Sequence, residues 1–430
     1  MIFVLHLVAL IVFALVSVLP IRGEAALAQD SILSEIDAIQ DRVAIVRELK
    51  PTGPIARDLM AREDLRAYLE NSFLEDVTPE EIEANQYRWE LLGYIQPGYD
   101  LVHAYLEVLT EQVLGFYAID KKTLYLISER ERLSPSDILT ISHELTHALQ
   151  DQNFDLKSNF ASRETENDQI MAYQALTEGD AVLSSLLYGR QFLTTAQLFA
   201  AFQEESAGGS SVLDSVPLVI RRELLFPYTA GVDFVAEQYA DGQWAAVNRV
   251  WQNPPQSTEQ VLHPAKYAAG EGPIAVTVPD MATRLGPEWR ELEENTQGEL
   301  DWQILIEQFV DAPTGAEAAA GWGGDRFRLL RRDVDGALIF AGRTAWDSDI
   351  DARQFFQAIE RMARGRHGAN LQVAPQRTVH TTADLAQGSE MWEAQAGAYS
   401  YSMELQGSRL SLAISTGPSA SSVLDTMSAP

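Results

Sequence analysis

No cysteine occurs in the 430-residue chain. Disulfide staples and thiolate metal ligands are both excluded by that absence. Basic residues are scarce: 32 Lys and Arg stand against 62 Asp and Glu, a formal charge of −30. A surface this acidic repels nucleic acid and anionic lipid, so neither is expected as a partner. No phosphate-binding glycine loop, basic patch or internal repeat is present. Histidine is rare as well, with seven in the chain, so a close pair of them is informative. What remains is 46% hydrophobic residues, ordinary for a globular protein, in a chain long enough for two or three domains.

The N-terminus also lacks something, the positive charge that usually opens a leader. Ile2 to Leu19 is almost wholly apolar, Pro20 ends the run, and Ala26-Leu27-Ala28 is a small-x-small cleavage pattern. Residues 1–28 are therefore expected to be a cleaved signal peptide. The alternative is an uncleaved N-terminal membrane anchor, since the run is just long enough to span. Both place the rest of the chain outside the cytoplasm, secreted or held at the membrane by this segment alone.

Two of the seven histidines stand in Ile141-Ser142-His143-Glu144-Leu145-Thr146-His147-Ala148-Leu149. Ser134-Pro135-Ser136-Asp137 is a capping box with Pro at the first helical position, so a helix starts here. Residues i and i+4 of a helix share a face, and His143 and His147 can offer two imidazole nitrogens to one zinc ion. Glu144 lies beside them as the candidate general base, and zinc would acidify a water and polarise a carbonyl. Ile141, Leu145 and Leu149 give an apolar opposite face that should be buried.

A catalytic zinc site needs a third protein ligand and an open position. The x-x-Gly-x-x-His continuation is ruled out, because Gln150 and Asn153 hold those places. The other source is a Glu from a following helix, and the stretch from Asp168 to Val182 supplies Glu178, 31 residues beyond His147. Glu164 and Glu166 compete for the role. Gly179 costs a helix about 1 kcal/mol relative to Ala, which points to close packing of this turn on a neighbouring helix. Asp180 or Asp151 is expected to accept the second N–H of a ligand histidine. Tyr228 is a candidate oxyanion donor.

His143-Glu144-Leu145-Thr146-His147-Ala148 with Glu178 downstream resembles the gluzincin metallopeptidases, the thermolysin-like branch of zinc proteases. A longer set of stretches is similar to a group of exported bacterial proteins with a gluzincin-like core. It comprises Leu49-Lys50-Pro51, Gly115-Phe116-Tyr117, His143 to Gln152, Glu178-Gly179-Asp180-Ala181, Phe226-Pro227-Tyr228, Ser257-Thr258-Glu259-Gln260, His263-Pro264, Lys266-Tyr267 and Gly321-Trp322-Gly323-Gly324-Asp325. The resemblance implies that a late histidine donates to the transition-state oxyanion, a part open to His263, which could instead ligate metal. Lys266 and Tyr267 could serve the same electrostatic end. It also implies an edge strand before the zinc helix that pairs with an extended substrate, here from the expected hairpin Gly115 to Ile127.

The expected fold is α+β. Residues 29–112 read as a helical lead-in, 113–270 as a mainly helical zincin-like core, and 271–325 as a connector. Residues 326–414 read as a small α+β unit, and 415–430, rich in Ser, Ala and Pro, as a disordered tail. Residues 204–215 are expected to be a mobile loop, and Pro227 to break the helical run from Val219 to Tyr239. His367 and His380 stand alone. The expectation is an exported zinc metallopeptidase acting on peptide or protein, with one Zn2+ on His143, His147 and Glu178. The rivals are a non-catalytic zinc-containing envelope binding protein, its fourth position closed by a residue such as His263, and an adaptor built on the C-terminal unit.

Overall fold

The computed structural model describes residues 7–11, 25–127, 132–207, 211–375, 377–379 and 389–429. The chain is mixed α+β, with two sheets among the described residues. Strand β1 (Leu7–Ile11) precedes helix α1 (Ala25–Arg47), whose stripe Ile32, Ile36, Ile39, Val43 and Val46 is buried. Then come β2 (Ala56–Met60), α2 (Arg62–Asp76), α3 (Pro79–Leu92) and α4 (Leu101–Gln112). The hairpin follows as expected, with β3 (Val113–Ala118) and β4 (Thr123–Ile127) paired antiparallel. The first sheet runs β1-β3-β4-β2, with β2 parallel to β4.

Helix α5 (Pro135–Phe154) starts at the capping box, with Ser134 and Asp137 bonded reciprocally. It packs against β3 and against α7 (Asn167–Phe192), with α6 (Leu156–Ala161) between them in the chain. Residues 204–215 are mostly helical, in contrast to the expected loop. Helices α8 (Thr195–Ala207) and α9 (Ser211–Ser215) cover them, and 208–210 lie outside the described residues.

Helix α10 (Leu218–Gln252) runs through Pro227 and breaks instead at Gly242 and Gln243. Packing on α7 offsets the hydrogen bond that a proline removes. The contact is backbone on backbone: a Cβ on Gly179 would sit 2.1 Å from the Gly231 carbonyl oxygen, and one on Gly231 would sit 2.3 Å from that of Ala175. Only glycines allow α7 and α10 to approach this closely. Short helices α11 (Thr258–Leu262) and α12 (Pro264–Ala269) complete this half.

The C-terminal unit begins earlier than position 326. After α13 (Met281–Leu285), β5 (Trp289–Asn295) already pairs antiparallel with β6 (Trp322–Arg332). The supposed connector is thus part of the second sheet. Helices α14 (Gly298–Phe309) and α15 (Ala312–Ala319) lie between these strands in sequence. The unit continues through β7 (Leu338–Trp346), α16 (Asp349–His367), β8 (Gln372–Val373), β9 (Arg377–Val379), β10 (Ser389–Ala396), β11 (Tyr399–Gln406) and β12 (Arg409–Ser415). The eight-stranded sheet runs β5-β6-β7-β12-β11-β10-β8, with β9 also on β10.

The tail is not disordered: α17 (Ala420–Ser428) buries Ala420, Val423, Leu424 and Met427. Their i, i+3, i+4, i+7 spacing is an amphipathic face that outweighs the Ser-rich composition. Trp322 to Asp325 lie in β6. Asp325 accepts from the Gln297 and Gly298 N–H groups that open α14 and from the Trp302 and Trp322 indoles.

The two halves share one buried core, and one of the places where polar groups join them is the start of α7. Asn295 Oδ1 accepts the Asn167 N–H at 2.9 Å, and Arg326 pairs with Glu166 at 2.7 Å. Asp168 accepts from the Thr258 hydroxyl and packs on Gly298.

Among the described residues no helix is long and apolar enough to cross a membrane. Leu7–Ile11 lies along β3, with Val8 opposite Tyr117. The rest of the apolar leader, the Ala26-Leu27-Ala28 side chains and His380 lie outside the residues whose structure or surroundings are described.

Candidate metal centre

His143 and His147 project from successive turns of α5 toward Glu178 on α7, and all three are buried. The Nε2 atoms of the two histidines are 2.9 Å apart. Glu178 Oε2 lies 3.1 Å from His143 Nε2 and 3.4 Å from His147 Nε2. A tetrahedral zinc with bonds of about 2.0–2.1 Å has ligand–ligand edges of about 3.3–3.4 Å, so the triangle is close to the size the ion requires. Two imidazoles and one carboxylate are also the right donor chemistry. The second carboxylate oxygen, Glu178 Oε1, is buried, and the Tyr228 phenol hydrogen-bonds the same carboxylate. The residues fit the metal. Glu164 and Glu166 do not join them: Glu166 precedes α7 and is held by Arg326.

Electrostatics agree with the geometry. Burial and then the neighbouring His147 push the His143 imidazole down to about 4. Burial works to raise the Glu178 carboxyl, but His147 and His143 outweigh it and hold the group at about 2. Burial thus favours a neutral His143 imidazole, and Glu178 stays ionised, the states a metal requires of those two ligands.

Glu144 is fully buried, and its Oε2 accepts the backbone N–H of Tyr117 in β3 at 2.8 Å. Gly115, two residues earlier, faces α5: a Cβ there would make ordinary contact with Thr140 Cγ2 at 3.4 Å and Glu144 Cγ at 3.8 Å, and would stand 3.2 Å from the Tyr125 carbonyl oxygen. The Gly-Phe-Tyr stretch is thus the strap that fixes the carboxylate. Tyr228 of α10 completes the wall, its ring 6.3 Å from that of His143 at 27°. Burial, then Glu178 and Glu144, raise its phenol well above the ordinary range, so it stays a donor.

Neither expected acceptor serves the ligand histidines. Asp180 is spent on Arg47 and on the Trp251 indole. Asp151 accepts from the Tyr117 hydroxyl at 2.9 Å. The partner is Gln150, whose Oε1 lies 2.8 Å from His147 Nδ1 and whose Nε2 donates to the Thr177 carbonyl at 3.0 Å. Gln150 lies three residues beyond His147 on the same helix face, a spacing that marks side-chain neighbours.

His263 is not at this centre. It sits between α11 and α12, with Nε2 2.9 Å from Glu299 Oε1. That hydrogen bond raises its pKa and leaves it neither ligand nor oxyanion donor here. Lys266 fills an acidic group formed by Glu259, Glu271 and Asp347, at 2.5, 3.3 and 2.5 Å. The lysine is the cation of that cluster. The Tyr267 hydroxyl donates to the Asn253 carbonyl. His367 contacts the Tyr401 hydroxyl, far along the chain from the metal ligands.

Residues 284–426 match a family model described as a domain of unknown function (DUF8575). The match covers the C-terminal unit and stops short of every residue of the metal centre. No curated protein matches the chain. A solved structure from Chloroflexus aurantiacus, described as a candidate hydrolase with a novel fold, is similar at 18% identity and a TM-score of 0.39. The similarity covers 58% of this chain and 92% of that one. At that score nothing of its fold or activity carries over to this chain.

Proposed function

We propose that the chain is an exported zinc metallopeptidase with a gluzincin-like core, acting on peptide bonds. The observation that carries the reading is the convergence of His143, His147 and Glu178 on one point, with Glu144 held beside them by β3. Among the described residues the group contains three ligands, which leaves a place for water and substrate.

Bound zinc would acidify water and polarise the scissile carbonyl. Glu144 takes the proton from the attacking water and passes it to the leaving amine, its carboxylate aimed by the Tyr117 N–H. The Tyr228 phenol donates to the oxyanion. His263 has no part in the reaction, because it is held at Glu299. The non-catalytic rival needs a residue that closes the fourth position; His263, the candidate for it, is held at Glu299, and a site that only holds metal has no need of Glu144.

Elemental analysis of the purified chain, beside Glu178→Ala, tests the centre. About one zinc per chain, weakened in the variant, is expected. A peptide library assay with Glu144→Gln tests the chemistry, with zinc retained and turnover reduced about 10²- to 10⁴-fold. No zinc after reconstitution, or full turnover by Glu144→Gln, would overturn the assignment.

A further inference from the structure

The side chain of Gln150 reaches two things at once. One end meets a ligand imidazole on α5; the other meets the backbone of Thr177, the residue before the ligand Glu178 on α7. The orientation of the amide is fixed by the second contact. A carbonyl oxygen accepts but cannot donate, so the atom facing the Thr177 carbonyl must be the NH2 group. The atom facing His147 is then the amide oxygen, and an amide oxygen only accepts. His147 must therefore carry a proton on Nδ1, and its Nε2 points at His143 Nε2 and Glu178.

The two histidines are not alike in this respect. His143 Nδ1 is buried and has no hydrogen-bond partner. Its Nε2 faces both the Glu178 carboxylate and the Nε2 of His147. Of the two rings, His147 is the one whose Nδ1 has a partner. Thr177 is steadied in turn, its hydroxyl donating to the Tyr173 carbonyl one turn earlier in α7.

We infer that Gln150 is the positioning residue of the metal centre: its one amide selects the Nδ1–H tautomer of His147 and ties that ring to the backbone beside Glu178. The role deepens the proposed zinc function and is chemically separable from it, because the tautomer exists without metal. Carboxylates and carbonyls are the usual partners of a ligand imidazole. A neutral amide that is itself tethered to the next ligand's helix couples the two ligand positions as well as the proton.

The experiment uses the full chain labelled with ¹⁵N-histidine, free of metal, at pH 8. Long-range ¹H–¹⁵N correlations distinguish the two neutral tautomers, and loss of a signal in His147→Gln assigns the ring. His147 is expected as Nδ1–H; an Nε2–H tautomer overturns the inference. Gln150→Leu removes donor and acceptor together. Zinc affinity, read by competition with a chelator, is expected to fall about 10- to 100-fold, and His147 to lose the pure Nδ1–H signature. An affinity within twofold of the parent with the signature intact overturns the inference. Should Gln150→Leu not fold, as judged by circular dichroism, the tautomer in the parent chain still decides. Should the parent take up no zinc, the peptidase reading fails, and the tautomer measurement stands independently of it.

Discussion

Gly179→Ala probes the contact on which the third ligand depends. A methyl group there would begin 2.1 Å from the Gly231 carbonyl oxygen, 2.2 Å from its carbon and 2.8 Å from the Val232 nitrogen. All three are backbone atoms of α10, so no flexible side chain can yield. To restore ordinary contact the helices must part by roughly 1 Å. Overpacking of this kind costs about 3 kcal/mol, the upper end of the usual range because two helices have to move. Alanine returns about 1 kcal/mol in helix propensity. The net expectation is a loss of about 2 kcal/mol, read as a lower urea midpoint with unchanged slope. Glu178 is the adjacent residue, so the same shift carries its carboxylate off the two histidines, and zinc affinity should fall by about tenfold or more. Gly231→Ala should behave alike, since its methyl group meets the Ala175 carbonyl oxygen at 2.3 Å. Gly53→Ala, with nothing within 4 Å, is the control. A Gly179→Ala chain with parental midpoint and zinc affinity would refute the argument that this contact sets the ligand.

Three other outcomes follow from the site and its supports. Tyr228→Phe should lower turnover about 10²- to 10³-fold with zinc content unchanged, checked by steady-state kinetics beside elemental analysis. Stability of the metal-free chain should fall in acid. The folded His143 stands at about 4 against 6.5 when unfolded, so its contribution is whole above pH 6.5 and is lost as pH drops toward 4, about 3 kcal/mol in all. Urea midpoints at pH 7, 6, 5 and 4 measure the slope, and His143→Ala should flatten it. Asp180→Ala leaves the buried Arg47 without its carboxylate and should cost about 3–5 kcal/mol; an unchanged midpoint would contradict the pairing.

Local signals in the sequence point to the three residues that the fold brings together. Helix α5 could be read from the capping box and the histidine spacing, and Glu178 from a second amphipathic run with a costly glycine inside it. Contacts distant in sequence were not legible. Asp180 and Asp151 had the right charge for a ligand's partner, but Arg47, 133 positions before Asp180, and Tyr117, in another element, had already claimed them. Gln150 carries no such signal in the sequence, because its amide is uncharged. His263 follows the centre in the chain but bonds Glu299 and is not among the three residues brought together.

Boundaries failed for a different reason. The sequence of β5, Trp-Arg-Glu-Leu-Glu-Glu-Asn, has too many charges to announce a strand. It is one because its acids pair with Arg326 and Arg328 on β6. At the tail, composition hid a short apolar stripe. The two-residue strand β8 offered no pattern at all.

The join at Asn167 bears on how the molecule can be divided. The leading N–H groups of a helix have no partners within it. In α7 one of them is answered from the other half of the chain, by Asn295, while Arg326 secures Glu166 just ahead of it. Cutting away residues 281–429 would not release a passenger domain. It would unpin the end of the beam that carries Glu178, eleven residues further along, and let that end fray. The C-terminal unit is in this sense an abutment for the candidate metal centre, and a smaller fragment that keeps His143, His147 and Glu178 together has to bring a substitute for it.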